Sequence, residues 1–310
     1  MSKALVIGYG SIGRRHAKVL KDIKKFDEIL ILTSQKIKEF KTIKSIQQIK
    51  TINPDYIVIS KPTSEHFKYL NYCENYLCGK LILIEKPLFD KINYLKIKKN
   101  KVFVGYNLRF HPVIKKLKKE LKNKDIFNVH IQNSSFLPEW RNTLSYNKTS
   151  SAQKKMGGGV LLDLSHELDF IRYLFGDFKI ISGINKRISQ LKINTDDILN
   201  FQGIIKKNKI SKILVNVNLN FFSRFKRREI ICDGKYFSIK GDLNSQEVLI
   251  KEKKKLSKII YKDYKQSLIN KTYIDLHNAV LNQNNLEAVC TFEEGVELMK
   301  NINMIQKNLN

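Results

Sequence analysis

Gly8, Gly10 and Gly13 fall between an apolar run, KALVIG, and a helical pattern, SIGRRHAKVLKDI. No other feature restricts the fold of this chain as much as that G-x-G-x-x-G turn. The first glycine makes a tight turn, the second lets a pyrophosphate approach the backbone, and the third lets helix and strand pack closely. The helix N-terminus then faces the phosphates. Ser11, Ile12 and Arg14 complete the segment, which reads as a dinucleotide site because a strand precedes it and a helix follows. EILILT, YIVIS, LILIE and KVFVG repeat the strand pattern, mostly separated by helix-like segments such as SEHFKYLNYCENYL. Strands alternating with helices predict an α/β fold with a doubly wound parallel Rossmann sheet.

In an NAD site, an acidic residue about 20 positions past the glycines binds the adenosine ribose. Here the second strand ends in Thr33, Ser34 and Gln35, with Arg14 and Lys36 nearby. No carboxylate repels a 2′-phosphate there, so the reading leans to NADP over NAD. Two further strand ends lie at the carboxyl edge of the sheet, where such folds bind ligands. SKPTSEH supplies Ser60, Pro62, Thr63 and His66, and EKP supplies Glu85, Lys86 and Pro87. Glu85 suits ribose hydroxyls, Lys86 suits the substrate, and Pro87 fixes the bend that aims them. His16 reads as a helix-packing residue.

After HPVIKKLKKELKN the pattern changes to long strand-like runs with short polar turns: IFNVHIQNSSF, KIISGIN, ILNFQGIIKK, SKILVNVNLNFF, REIICDG and YFSIKG. This predicts a second, α+β domain with a large, mostly antiparallel open sheet. The boundary is expected near residue 120, giving a dinucleotide-binding domain at 1–120 and a substrate-binding and oligomerisation domain at 121–310. A closing helix, TFEEGVELMKNI, carries capping-box spacing at Thr291 and Glu294.

Composition excludes several classes of function. The formal charge of +28 comes from lysines scattered along the chain, not gathered with stacking aromatics as in a nucleic-acid groove. Specific nucleic-acid binding is therefore not expected, and anionic substrates are the expected beneficiaries of the field. No apolar run is long enough to span a bilayer, and the N-terminus enters a strand pattern directly, so a cytoplasmic location is expected. Cys73, Cys78, Cys232 and Cys290 contain no C-x-x-C pair and no metal-ligand spacing, so no metal is expected.

GGGVLLDLSHELDFIRYLFGD, from Gly157, reads as an amphipathic helix. Leu164, Leu168, Ile171 and Phe175 form its apolar face, while Asp163, His166, Asp169 and Tyr173 share a polar one. GYGSIGRRH, SKPTSEH, EKP, VGYNLRFHP, the Trp140–Gly176 stretch and TFEEG, in this order, resemble the Gfo/Idh/MocA family of oxidoreductases. DLSHE stands in place of the family's commoner Asp-x-Gly-x-x-His. The resemblance implies a nicotinamide between the two domains, with Lys86, Asp163 and His166 around the reacting carbon. On that reading the three glycines bring the backbone close to cofactor or substrate. The resemblance also places Asn107 at the cofactor, Arg109, Trp140, Arg141 and Tyr146 as walls of the substrate cleft, and a homo-oligomer, dimer or tetramer, at the open sheet.

The resemblance implies hydride transfer at a secondary alcohol or ketone carbon of a sugar, cyclitol or nucleotide-linked sugar, and the branch resembled implies surface-glycan synthesis as a setting. Oxidation requires the O–H proton to leave, so a base must reach that oxygen. Lys86 is one candidate, and as a cation it stabilises the developing alkoxide. His166 is the preferred acceptor, because histidine ordinarily titrates near neutrality. Asp163 orients the histidine or a substrate hydroxyl. Two alternatives stay open: a non-catalytic dinucleotide-binding regulator, and a dehydratase or epimerase using transient hydride transfer.

Overall fold

The computed structural model describes residues 1–140, 145–206, 212–253, 256–262 and 268–309. The chain divides into two units, Met1–Asn107 with Ser267–Lys300, and Leu108–Gln266 with Asn301–Asn310.

In the first unit, β1 (Lys3–Ile7), β2 (Glu28–Leu32), β3 (Lys41–Ile43), β4 (Tyr56–Ile59), β5 (Leu81–Ile84) and β6 (Lys101–Val104) pair in parallel. Their spatial order is β6-β5-β4-β1-β2-β3. Ala4, Leu5, Val6 and Ile7 are fully buried, as are Ile57, Val58 and Ile59 and Ile82, Leu83 and Ile84. Continuous apolar strands of this kind require cover on both faces, which α1 (Ser11–Ile23), α2 (Gln48–Ile52) and α3 (His66–Tyr76) help to supply. Ladder bonds continue one residue past the strands. Gly8 N–H donates to Leu32 O, Ser60 N–H to Ile7 O, Glu85 N–H to Ile59 O and Gly105 N–H to Ile84 O. These bonds line up Gly8, Ser60, Glu85 and Gly105 along the carboxyl rim.

In the second unit α4 (Pro112–Leu121) precedes β7 (Ile126–Phe136), and α5 (Val160–Asp163) and α6 (Ser165–Phe175) precede β8 (Lys179–Lys186). Then come β9 (Ile198–Lys206), β10 (Lys212–Asn220), β11 (Phe222–Gly234), β12 (Phe237–Asp242), β13 (Glu247–Glu252) and β14 (Lys258–Lys262). The sheet runs β14-β13-β12-β11-β7-β10-β9-β8. It is antiparallel except between β7 and β10, where Val129 sits opposite Val215 and Ile131 opposite Val217. The expected large, mostly antiparallel open sheet is thus present.

The chain then returns to the first unit through α7 (Leu268–Asn282), β15 (Cys290–Thr291) and the start of α8 (Phe292–Asn308). β15 adds an antiparallel edge to β6. At the start of α8, Thr291 N–H donates to Glu294 Oε2 at 2.9 Å and Glu294 N–H to Thr291 Oγ1 at 3.2 Å, the reciprocal bonds of a capping box.

Two expectations about domain organisation need correction. The boundary lies at Asn107, not near residue 120, because α4 belongs to the second unit. Val113, Ile114, Leu117 and Leu121 are buried, and Val113 and Leu117 fill the space beside Gly241 of β12. Residues 267–300 also belong to the first unit rather than the second. Among the described residues, no helix is long and apolar enough to cross a membrane.

Candidate functional site

The glycine turn has the geometry its spacing predicts. Gly8 has φ +102°, and a Cβ there would lie 2.9 Å from Ser60 O. A Cβ on Gly13 would lie 2.2 Å from Gly8 O, so that position holds helix against strand. Around a Cβ on Gly10, by contrast, nothing lies within 4 Å. No side chain caps α1, and no acidic residue stands in its first turn. Open space at the positive end of a helix fits a pyrophosphate, and the residues present fit a dinucleotide. Ser60 Oγ donates to Ile7 O at 3.1 Å and fills the corner beside Gly13.

At the end of β2, Thr33 is buried and its Oγ1 accepts the Gln35 N–H at 3.2 Å. Lys44 Nζ donates to Thr33 O and Gln35 O, both at 3.1 Å. Gln35 Nε2 reaches Tyr9 O at 3.4 Å, and the Arg14 guanidinium lies 5.7 Å from the Tyr9 ring centre. Ser34 is exposed. Burial raises the Tyr9 phenol pKa, with Glu39 adding to the shift and Arg14 opposing it. Lys44 escapes sequence reading because it stands outside every motif, yet it holds the loop after β2.

The EKP turn is more enclosed than its sequence suggests. Glu85 is 7% exposed. Its Oε1 lies 2.9 Å from His16 Nε2, and its Oε2 accepts the Lys86 N–H at 3.2 Å. Gly105 is tight against this carboxylate, since a Cβ would stand 3.1 Å from Oε1. The ribose role expected for Glu85 thus falls to a carboxylate already engaged by His16. Lys86 is half-buried, and its bond to Pro87 is cis.

His66, expected at the cofactor, is instead enclosed among carbonyls. Its Nδ1 lies 3.1 Å from Pro87 O and 3.3 Å from Leu88 O, and its Nε2 lies 2.9 Å from Lys61 O. Burial lowers its pKa against the opposing pull of these carbonyls and of Glu85. Its place in the fold is to hold the turn that carries Lys86. Pro62 and Thr63 start the short 3₁₀ turn before α3. Asn107 is buried and donates to Thr272 Oγ1 at 2.8 Å.

In the second unit, the expected single helix after the glycines is two. α5 ends at Asp163, and Leu164, at φ −96° and ψ 26°, separates it from α6. The polar face divides accordingly. Asp163 is half-buried and His166 is 8% exposed. The His166 ring lies near-parallel to Phe170 at 6.3 Å. Asp169 is 1% exposed and grips Arg109 through Nε–Oδ2 at 2.9 Å and Nη2–Oδ1 at 2.7 Å. The Arg109 guanidinium lies 4.7 Å from the Tyr173 ring centre. Arg109, expected as a wall of the substrate cleft, is 1% exposed and pins α6.

Gly158 and Gly159, before α5, admit the chain itself rather than a ligand. A Cβ on Gly158 would lie 2.0 Å from Ser150 O, and one on Gly159, at φ +113°, 2.0 Å from Asp196 Oδ1. Asp196 Oδ2 accepts the Leu161 N–H at 2.8 Å and the Asn185 amide at 2.9 Å. Burial raises the Asp196 pKa against these bonds, and the charge of Asp163 adds to the rise. Asp196 thus fixes the start of the helix that ends at Asp163, and only its distance in sequence hid it.

Gly159 and Gly176 test this directly. Both occupy a backbone region reserved for glycine, at φ +113°, ψ 158° and φ +102°, ψ −168°, but only Gly176 has open space for a Cβ. Gly159→Ala should cost about 2–4 kcal/mol, combining backbone strain with overpacking, and Gly176→Ala only the strain. Chemical unfolding followed by the fluorescence of Trp140, the one tryptophan of the chain, measures both. Equal costs would contradict the close approach of Asp196.

Trp140 and Tyr146 come together with Leu137, Thr149 and Ser151 around a shallow recess with room for about one water. Trp140 Nε1 donates to Ser135 Oγ at 2.9 Å, and its ring meets Phe221 edge-on at 5.1 Å. Tyr146 OH accepts the Lys192 N–H at 3.0 Å. Arg141 lies outside the described residues.

Comparison with known proteins agrees with this geometry. Residues 2–106 match the family GFO_IDH_MocA, described as an oxidoreductase family with an NAD-binding Rossmann fold. Myo-inositol 2-dehydrogenase of Thermotoga maritima is 29% identical over 194 residues, covering 56% of this chain and 54% of that protein. The match thus spans about half the length of that relative. Among solved structures, a levoglucosan dehydrogenase in complex with NADH superposes with a TM-score of 0.80 at 15% identity, covering 99% of this chain and 96% of the other. UDP-N-acetylglucosamine 3-dehydrogenase from Acidithiobacillus ferrooxidans gives 0.74 at 16% identity, covering 98% and 96%. At such identities these structures establish the fold of both units. In its glycine turn, its sheet order and the match over residues 2–106, this part of the first unit is similar to the NAD-binding Rossmann fold of that oxidoreductase family.

Proposed function

We propose that this chain is an NAD(P)-dependent oxidoreductase that transfers hydride at a secondary alcohol or ketone carbon of a sugar, cyclitol or nucleotide-linked sugar. The observation that carries the proposal is the uncapped N-terminus of α1 beside Gly10, with open space where a side chain would stand. When bound, the nicotinamide supplies the hydride acceptor or donor. The protein's part is to move the proton. As hydride leaves the carbon, the hydroxyl proton passes to an imidazole nitrogen of His166, and the Lys86 ammonium stabilises the oxygen while it carries negative charge. Asp163 orients His166 or a neighbouring substrate hydroxyl. Trp140, 39% exposed, offers an apolar face to a sugar ring.

The net charge of +28 favours an acidic or nucleotide-linked sugar, in keeping with the nucleotide-sugar enzyme that shares the fold. The open sheet exposes Ile181, Ile184 and Leu214, which supports pairing of copies into a dimer or tetramer. Turnover is tested with both redox forms of both dinucleotides against cyclitols, hexoses, hexuronic acids and UDP-linked hexosamines, following nicotinamide absorbance. Turnover with a member of this panel, lost in His166→Ala, is expected. A bound dinucleotide that no member oxidises or reduces would contradict the proposal and favour a regulator.

Cofactor preference follows from the ribose end. With Thr33 and Ser34 there, and Arg14 and Lys36 nearby, NADPH should bind a few-fold more tightly than NADH. Parallel fluorescence titrations measure the ratio, and tighter NADH binding would overturn the preference.

A further inference from the structure

The EKP carboxylate ends a chain of buried side chains contained wholly in the first unit. Glu85 Oε1 lies 2.9 Å from His16 Nε2, His16 Nδ1 lies 2.8 Å from His277 Nε2, and His277 Nδ1 lies 2.8 Å from Tyr56 OH. His16 and His277 are 0% exposed and Tyr56 is 1% exposed. Four elements meet in it, because His16 is on α1, His277 on α7, Tyr56 opens β4 and Glu85 follows β5. Tyr273 packs edge-on against His16 at 5.1 Å, with Arg15 5.5 Å from its ring centre. Phe26 stacks on Tyr56 at 5.9 Å.

We propose that His277 is a positioning residue which, through His16, holds the Glu85 carboxylate and with it the turn that carries Lys86. This rests on the reading of that turn as part of an oxidoreductase site. One assignment of protons satisfies every group in the chain. The Tyr56 hydroxyl donates to His277 Nδ1, His277 Nε2–H to His16 Nδ1, and His16 Nε2–H to Glu85 Oε1. If the direction is reversed, the Tyr56 hydroxyl proton has no acceptor within the chain, which is costly for a buried group. All three bonds therefore point at the carboxylate, and each polarises the next. Burial holds the His277 pKa well below its ordinary value and raises that of Tyr56 well above its own. Both shifts suit a neutral ring accepting from a neutral phenol.

The link to the cofactor site is direct. α1, whose N-terminus faces the open space at Gly10, carries His16 six residues later. Glu85 in turn accepts the Lys86 N–H. Loosening the chain therefore disturbs the glycine helix and the EKP turn together.

The test compares full-length wild type, His277→Leu, His277→Gln and Tyr56→Phe. Glutamine can donate to His16 and accept from Tyr56, whereas leucine can do neither. His277→Leu should weaken dinucleotide binding by roughly tenfold, and His277→Gln should restore it to within about threefold of wild type. In protein carrying ¹⁵N-histidine, ring shifts should show His277 and His16 both protonated on Nε2. Tyr56→Phe, which removes a single hydroxyl, should move the His277 Nδ1 signal and serves if His277→Leu does not fold. Wild-type affinity in a folded His277→Leu, or a proton on His277 Nδ1 in wild type, would overturn the proposal. Wild type that binds no dinucleotide would sink the oxidoreductase reading instead, and the ring shifts would still decide the direction of the chain.

Discussion

His166→Ala is expected to lower turnover by roughly two to four orders of magnitude, the usual worth of a positioned acid–base group. Dinucleotide affinity should hardly change, because Gly8, Gly10 and Gly13 stand in the other unit with α1 intact. Lys86→Ala should cost a similar factor. It should also raise KM for the substrate if the ammonium donates to the substrate oxygen in the ground state. The double variant should be little worse than either single one, since groups acting as a unit are not additive. Steady-state kinetics and a dinucleotide titration on each variant separate these effects. Near-normal turnover in His166→Ala would make the histidine structural and leave Lys86 as the base.

Arg109→Ala carries the largest expected loss of stability. Arg109 and Asp169 are each 1% exposed and joined by two short bonds. Removing one partner leaves the other charge buried without compensation, which costs about 3–5 kcal/mol. Arg109→Met combined with Asp169→Leu should recover most of that loss, because replacing a buried pair with apolar groups of similar volume is often nearly neutral. Unfolding in urea, followed through Trp140 in the same unit, measures both variants. A loss below about 1 kcal/mol in Arg109→Ala, the range of exposed pairs, would show that the pair is solvated.

Much of the fold was legible in the sequence because it rests on local periodicity. KALVI, YIVI and LILI are uninterrupted apolar runs, and each forms a central strand buried on both faces. IFNVHIQNSSF alternates and forms β7 over Ile126–Phe136. β3 has only three residues and shows no period. α7 was hidden because its buried positions include Thr272 and His277, polar side chains that interrupt the apolar stripe. With α7 went the return of the chain to the first unit and the His277 link to Glu85.

The candidate site divides in the same way. The roles of Gly8, Gly10 and Gly13 are local, and their geometry follows the motif. The environments of Glu85, His66, Arg109 and Gly159 depend on partners far away in sequence: His16, the Leu88 carbonyl, Asp169 and Asp196. A motif names such residues without saying what they touch. For Gly158 and Gly159 the sequence pointed to a ligand, where the space is taken by Ser150 and Asp196. The break at Leu164 was equally invisible, because VLLDLSHELDF has no glycine or proline to mark it.

Binding of a nicotinamide dinucleotide at the glycine turn tests the account most directly, by calorimetric titration of wild type and Gly10→Glu. Gly10 has φ −72° and open space around its missing Cβ, so glutamate is accommodated without strain. Its carboxylate would stand where the pyrophosphate is expected, at the end of a helix that favours anions. Saturable one-to-one binding to wild type, weakened at least about a hundredfold in a folded Gly10→Glu (~2.7 kcal/mol), is the predicted result. Folded wild type that binds neither dinucleotide, or Gly10→Glu that binds as tightly as wild type, would contradict it.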